Sequence, residues 1–174
     1  MKLSIIKIVE STTVDGPGLR TTVYSAGCSH RCKGCHNPQS WDISYGEMVD
    51  VEEVAKRLLS TGEDITFSGG DPIFQIEGFT ELASIIKKKS NRNIWCYTGY
   101  TFEQLIKKPQ SRELLKNIDV IVDGRFEETE KDEKTLFRGS RNQRLIDVQK
   151  SLQQKEPILY QPVKILSKLL SQYN

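Results

Sequence analysis

The chain has 174 residues, 37% hydrophobic and 28% charged, which is enough for one ordinary domain (residues 1–174) with a real core. Its 25 Lys and Arg nearly balance 23 Asp and Glu, and a net charge of +2 gives no bulk electrostatic case for nucleic-acid binding. No uninterrupted apolar stretch approaches the ~20 residues of a membrane span. The opening MKLSIIKIVESTTVDGPG carries a short apolar run but neither a long one nor a small-residue cleavage site, so a cytoplasmic chain with reduced thiols is expected.

The segments alternate between strand-like and helix-like. LRTTVYSAG (19–27), rich in β-branched residues, reads as a strand that runs straight into a cysteine loop. VDVEEVAKRLLSTG (49–62) reads as a helix: Asp50 caps it, Val51, Val54, Ala55, Leu58 and Leu59 form an apolar stripe, and Gly62 stops it. DITFSGGDP (64–72) is a strand entering a glycine turn, and IEGFTELASIIKKKS (76–90) a second amphipathic helix. NIWCYTGY (93–100) is a third strand, FEQLIKK (102–108) a short helix, and IDVIVDG (118–124) a fourth, buried strand. RLIDV (144–148) and PILYQP (157–162) are candidate strands, and VKILSKLLSQY (163–173) a terminal helix with Val163, Leu166, Leu169 and Leu170 on one face, for core cover or partner docking.

Alternating β and α units argue for a parallel sheet with helices outside it. A full barrel of eight such units needs ~250 residues, so the expected architecture is an incomplete, open βα barrel of about five or six mainly parallel strands. A doubly wound open sheet is the main rival. Under either scheme the loop AGCSHRCKGCHNPQSWD, the turn SGGDP, the turn YTGY and the turn DGRF all fall at strand C-termini, the edge where parallel α/β folds build active sites.

Cys28, Cys32 and Cys35, spaced CxxxCxxC, make the first of these loops the chemical centre. A structural zinc site with His30 or His36 as fourth ligand lacks the second cysteine pair such sites favour. CKGCH matches a haem-attachment pattern that generally goes with export and leaves Cys28 unused, as does a dithiol at Cys32 and Cys35. Three thiolates at short spacing suit a 4Fe–4S cluster with one open iron, which the spacing favours over zinc. Cys96, inside a strand pattern, reads as a small buried hydrophobe.

CxxxCxxC after the first barrel strand, followed by SGGDP, resembles the radical S-adenosylmethionine (SAM) superfamily. VDGPGLRTTVYSAGCSHRCKGCHNPQSWD, TFSGGDP, WCYTGY, VDGRFEE and FRGSRNQRLIDV resemble, in order, the family of anaerobic ribonucleoside-triphosphate reductase-activating proteins. The resemblance implies a glycyl-radical activase of radical SAM type. Cys28, Cys32 and Cys35 would hold the cluster. Gly34, Cys35, His36, Gly69, Gly70, Asp71 and Thr98 would bind the cofactors, with Asp71 a partner for the SAM ammonium. The implied partners are the glycine-bearing C-terminal region of the reductase and a low-potential donor such as flavodoxin or ferredoxin. Gly34 departs from the superfamily, which usually carries an aromatic there to pack on adenine; His36 is expected to take part of that role. Arg20 is expected to neutralise a carboxylate or to lie at a strand edge. Asp123 is expected to meet a ribose hydroxyl, Arg125 or a strand-end partner. FEETEKDEK (126–134) reads as a solvated charged segment, and Arg138, Arg141 and Arg144 as a basic loop that gates the site, docks the reductase or is merely solvated. The alternatives are another short radical SAM enzyme, acting on a different glycyl-radical enzyme or a small molecule, and a non-catalytic zinc or Fe–S module.

Overall fold

The computed structural model describes residues 1–161, so the terminal helix expected at 163–173 lies outside the described residues. The strands are β1 (Lys2–Thr12), β2 (Arg20–Ser25), β3 (Glu47–Asp50), β4 (Asp64–Gly69), β5 (Ile94–Tyr97), β6 (Val120–Asp123) and β7 (Arg144–Asp147). The helices are α1 (Val51–Ser60), α2 (Ile76–Lys89), α3 (Phe102–Leu105), α4 (Pro109–Leu115) and α5 (Val148–Gln154). All seven strands join one open sheet in the order β3-β1-β2-β4-β5-β6-β7.

The centre of the sheet is parallel. β2 pairs with β4, β4 with β5 and β5 with β6, all in parallel register. Its margins are antiparallel: β1 runs against both β2 and β3, and β7 against β6. Seven strands therefore replace the expected five or six, and the sheet is mixed although most strands point one way. The additions have a physical reason. In β1 only Leu3, Ser4 and Ile5 are buried, because the strand is long and its second half leaves the core. β3 is an edge strand, EMVD, with no buried position and hence no alternation to read. The described part of PILYQP, residues 157–161, forms no strand; Leu159 makes one isolated bridge to Ile146, and Tyr160 packs edge-on against Trp95.

Alternation assigns the faces of the sheet. Val23, Ile65, Phe67, Ile94, Cys96, Ile121 and Ile146 face the helices and join one core cluster with Val51, Val54, Ala55 and Leu58 of α1 and Phe79, Leu82, Ala83 and Ile86 of α2. Each fully buried Val, Leu, Ile or Phe there contributes about 1.5–3 kcal/mol relative to exposure. Trp95, Val120, Val122 and Leu145 point the other way and pack with Tyr97, Phe137 and Tyr160.

Arg20 is not a strand-edge charge; as the carboxylate reading expects, its guanidinium lies 3.8 Å from the Asp64 carboxylate. It begins β2, at the opposite end from the loop, and is fully buried. Its guanidinium donates to Thr66 Oγ1 (2.8 Å), the Ile65 carbonyl (2.7 Å) and Asn93, and lies 5.3 Å from the centre of the Trp95 ring. Burial lowers its pKa, and Asp64 opposes that shift.

Candidate functional site

The loops after β2, β4, β5 and β6 meet at one edge of the sheet because the four strands run parallel in register. Ser25 stands opposite Gly69, Phe67 opposite Cys96, and Tyr97 opposite Val122. Backbone bonds then lace the loops together. Gly70 N donates to Ser25 O (2.7 Å), Asp71 N to Gly27 O (2.9 Å), and Gly27 N to Ser40 O (2.7 Å). The loops enclose a cleft of about 730 Å³. Cys28, Cys32, Cys35, His36, Gly69, Gly70, Asp71 and Thr98 all line it; of the residues expected to hold the cofactors, Gly34 does not, and neither do Arg20, Asp123, Arg138, Arg141 and Arg144.

The three thiols are free and half-buried. Burial pushes the Cys28 thiol up, against the backbone N–H groups of His30 and Arg31. Burial likewise raises Cys32, against the N–H of Phe126. Such thiols stay protonated near neutral pH until a metal displaces the proton. Among the described residues no three His, Cys, Asp or Glu side chains gather closely enough to share a single metal ion. Cys96 lies on the helix-facing side of β5, with its thiol raised well above its ordinary value by burial.

Asp71 is held by partners within the protein. Its side chain is buried, and both carboxylate oxygens are used. Oδ2 accepts from His30 Nε2 (2.8 Å), Thr98 Oγ1 (3.0 Å) and the Gly99 N–H (3.0 Å), while Oδ1 accepts from the Ile73 N–H (2.9 Å). The carboxylate thus ties the cysteine loop to the turns after β4 and β5. The glycines of SGGDP serve close backbone approach. A Cβ on Gly69 would stand 2.4 Å from Ser25 N, and one on Gly70 2.4 Å from Gly27 O.

The segment after β6 is largely exposed, as its charges lead one to expect, yet its first residues touch the cysteine loop. The Phe126 ring packs against His36 at a tilt of 50° with centroids 5.1 Å apart, and Glu128 pairs with Lys33 at 3.2 Å beside Gly34, where an added Cβ would meet its carboxylate at 3.0 Å. The segment lies across the cysteine loop as a strap. Gly34 takes φ 73°, a conformation that suits glycine and completes the turn between Cys32 and Cys35. The three arginines are engaged within their own neighbourhood. Arg138 donates to the Gln143 carbonyl, Arg141 pairs with Glu130 at 3.1 Å, and Arg144 binds Glu103 (2.8 Å) and Asp123 (2.6 Å). Asp123 also caps Phe102 N, so it takes a strand-end partner and not Arg125.

Among the cleft residues that the sequence does not mark are His30, whose local pattern suggests only a zinc ligand, Phe126, which sits in a charged run, and Gln143, which carries no signal.

Residues 14–146 match the family described as 4Fe-4S single cluster domain. The chain is 33% identical over 150 residues to an anaerobic ribonucleoside-triphosphate reductase-activating protein of Haemophilus influenzae, covering 81% of this chain and 96% of that relative. It is 38% identical over 139 residues to the protein of that name in Enterobacteria phage T4 (76% and 86% covered). A third relative of that name, from Escherichia coli strain K12, is 32% identical over 139 residues (75% and 89% covered). A 4Fe-4S domain match spanning most of the chain, with its three clustered thiols at the cleft, and this degree of identity place the chain in the family of anaerobic ribonucleoside-triphosphate reductase-activating proteins.

Proposed function

We propose that this chain is a radical SAM activase that generates a glycyl radical on anaerobic ribonucleoside-triphosphate reductase. The observation that carries the reading is three free, half-buried thiols on one loop, opening onto a cleft at the C-terminal edge of parallel strands. The donor set fits a 4Fe–4S cluster: soft thiolates from Cys28, Cys32 and Cys35, with the fourth cysteine, Cys96, locked in the core on the sheet's other face. With only three protein thiolates, a bound cluster would keep one iron open to a small ligand. When bound, the cluster and SAM supply a reductively formed carbon radical able to take a hydrogen atom from glycine.

The chain's own residues bind, orient and shield. A cleft of about 730 Å³ suits a ligand the size of SAM. Because Asp71 spends its oxygens on protein donors, the SGGDP turn offers SAM its backbone at Gly69 and Gly70 and holds Thr98 and Gly99 in place. His36, backed by Phe126, is the surface for the purine that Gly34 does not supply. The fold that accompanies this reading is an open βα barrel, whose unclosed side admits the glycine-bearing loop of the reductase. Among the described residues no helix is long and apolar enough to cross a membrane. The activase acts in the cytoplasm, fed by a low-potential donor such as flavodoxin or ferredoxin.

The test is chromatography of the products after anaerobic reconstitution with SAM and a strong reductant. The reading expects 5′-deoxyadenosine from wild type and none from Cys28→Ala, Cys32→Ala or Cys35→Ala. A protein that binds one zinc and never cleaves SAM contradicts it.

A further inference from the structure

His30 lies midway between Cys28 and Cys32, yet its side chain is only 4% exposed. Its Nε2–H donates to Asp71 Oδ2 at 2.8 Å, a bond that spans 41 residues of sequence. The same oxygen holds Thr98 Oγ1 and the Gly99 N–H, so three strand-end loops converge on one atom. The imidazole is also wedged. It meets the Tyr100 ring edge-on with centroids 4.5 Å apart, and a Cβ on Gly99 would stand 2.4 Å from its Cδ2. Arg31 takes φ 47°, the left-handed region that a non-glycine residue adopts only under strain, so the turn needs an external hold.

We propose that His30 is a positioning residue: through Asp71 it pins the Cys28–Cys32 turn to the loops after β4 and β5 and fixes the pocket that retains the cluster. This rests on the reading of the three cysteines as cluster ligands. The ordinary alternative is a histidine that merely fills the interior. Such a residue would affect global stability without altering the cluster's own environment.

The experiment compares anaerobically reconstituted wild type, His30→Ala, His30→Gln and Gly99→Ala. Bleaching of the iron–sulfur absorbance by an iron chelator is timed, and the EPR spectrum of the reduced cluster is recorded. Outer partners of metal ligands typically alter metal affinity by 10–100-fold, so His30→Ala is expected to lose its cluster at least about 10-fold faster and to show a changed EPR signal. His30→Gln keeps an N–H within reach of Asp71 and restores most of both properties. Gly99→Ala leaves every donor in place but drives a methyl group into the imidazole, and is expected to reproduce His30→Ala. If His30→Ala does not fold, Gly99→Ala decides the question. Wild-type lifetimes and spectra in the variants that fold overturn the bracket alone. A wild type that holds no iron overturns the ligand reading beneath it.

Discussion

Gly70→Ala is the sharpest perturbation of the site that touches no titratable group. The added Cβ would stand 2.4 Å from Gly27 O and 2.9 Å from Ser40 O. Both are backbone atoms of the cysteine loop, and they belong to one hydrogen-bonded lattice, with Gly27 N bonded to Ser40 O and Asp71 N to Gly27 O. To reach ordinary contact at 3.4 Å, the loop and the β4 turn have to part by about 1 Å. The Asp71 N–H bond then lengthens beyond useful range. Overpacking of this kind costs about 1–3 kcal/mol. For a chain of this size that is roughly 2–12 °C in Tm, at about 2–4 °C per kcal/mol. The assay is a thermal melt of the apo protein beside the iron content after reconstitution, with Gly62→Ala as control. Gly62 has φ +78° and open space around it, so its variant strains the backbone without reaching the cysteine loop. Gly70→Ala is expected to lose both Tm and iron, and Gly62→Ala to lose Tm only. A Gly70→Ala protein with wild-type Tm and full iron content would refute the idea that the loop is seated by backbone contact.

Other outcomes follow from the same structure. Cys96→Ala is expected to keep full iron content at a stability loss of about 1 kcal/mol, whereas Cys28→Ala, Cys32→Ala and Cys35→Ala each lose the iron–sulfur absorbance. Arg20→Ala removes the donor to Thr66, Ile65 and Asn93 and is expected to cost about 2–5 kcal/mol by urea unfolding while leaving the EPR spectrum of the loaded protein unchanged. Hydrogen bonding to Arg144 holds the Glu103 carboxyl at about 2, below its ordinary 4.5. Because the folded value is the lower one, this contribution is present above pH 4.5 and is lost as pH falls toward 2. Glu103→Gln is expected to flatten the urea midpoint across that window by less than about 1 kcal/mol, since the side chain is 45% exposed and screened.

The parts of the molecule legible in the sequence are those with local signals. β2, β4, β5 and β6 carry β-branched or continuous apolar runs and end in glycine turns, and α1 and α2 carry apolar stripes at helical spacing. Knowing these six elements was enough to bring the cysteine loop, SGGDP and YTGY to one edge. The rest depended on distant contacts. β3 is a strand only because β1 pairs with it, and β1 is broken by register shifts that blur its alternation. α4 opens on Pro109, which reads as a breaker yet suits a first helical turn. The environment of Asp71 was equally hidden. GGDP shows a carboxylate beside a ligand loop, but nothing local shows that His30 and Thr98 claim it. Phe126 and Glu128 sit in a run of charges whose contact with His36 and Lys33 appears only once β6 delivers them.

The most direct test of the central claim is EPR spectroscopy of the reductase itself. The reconstituted chain, SAM and a low-potential reductant are incubated anaerobically with purified anaerobic ribonucleoside-triphosphate reductase, with Cys32→Ala in a parallel reaction. The account predicts an organic glycyl-radical signal on the reductase with wild type and none with the variant. A loaded, SAM-cleaving wild type that leaves the reductase silent would contradict the assignment of the partner, and an equal signal with Cys32→Ala would contradict the assignment of the site.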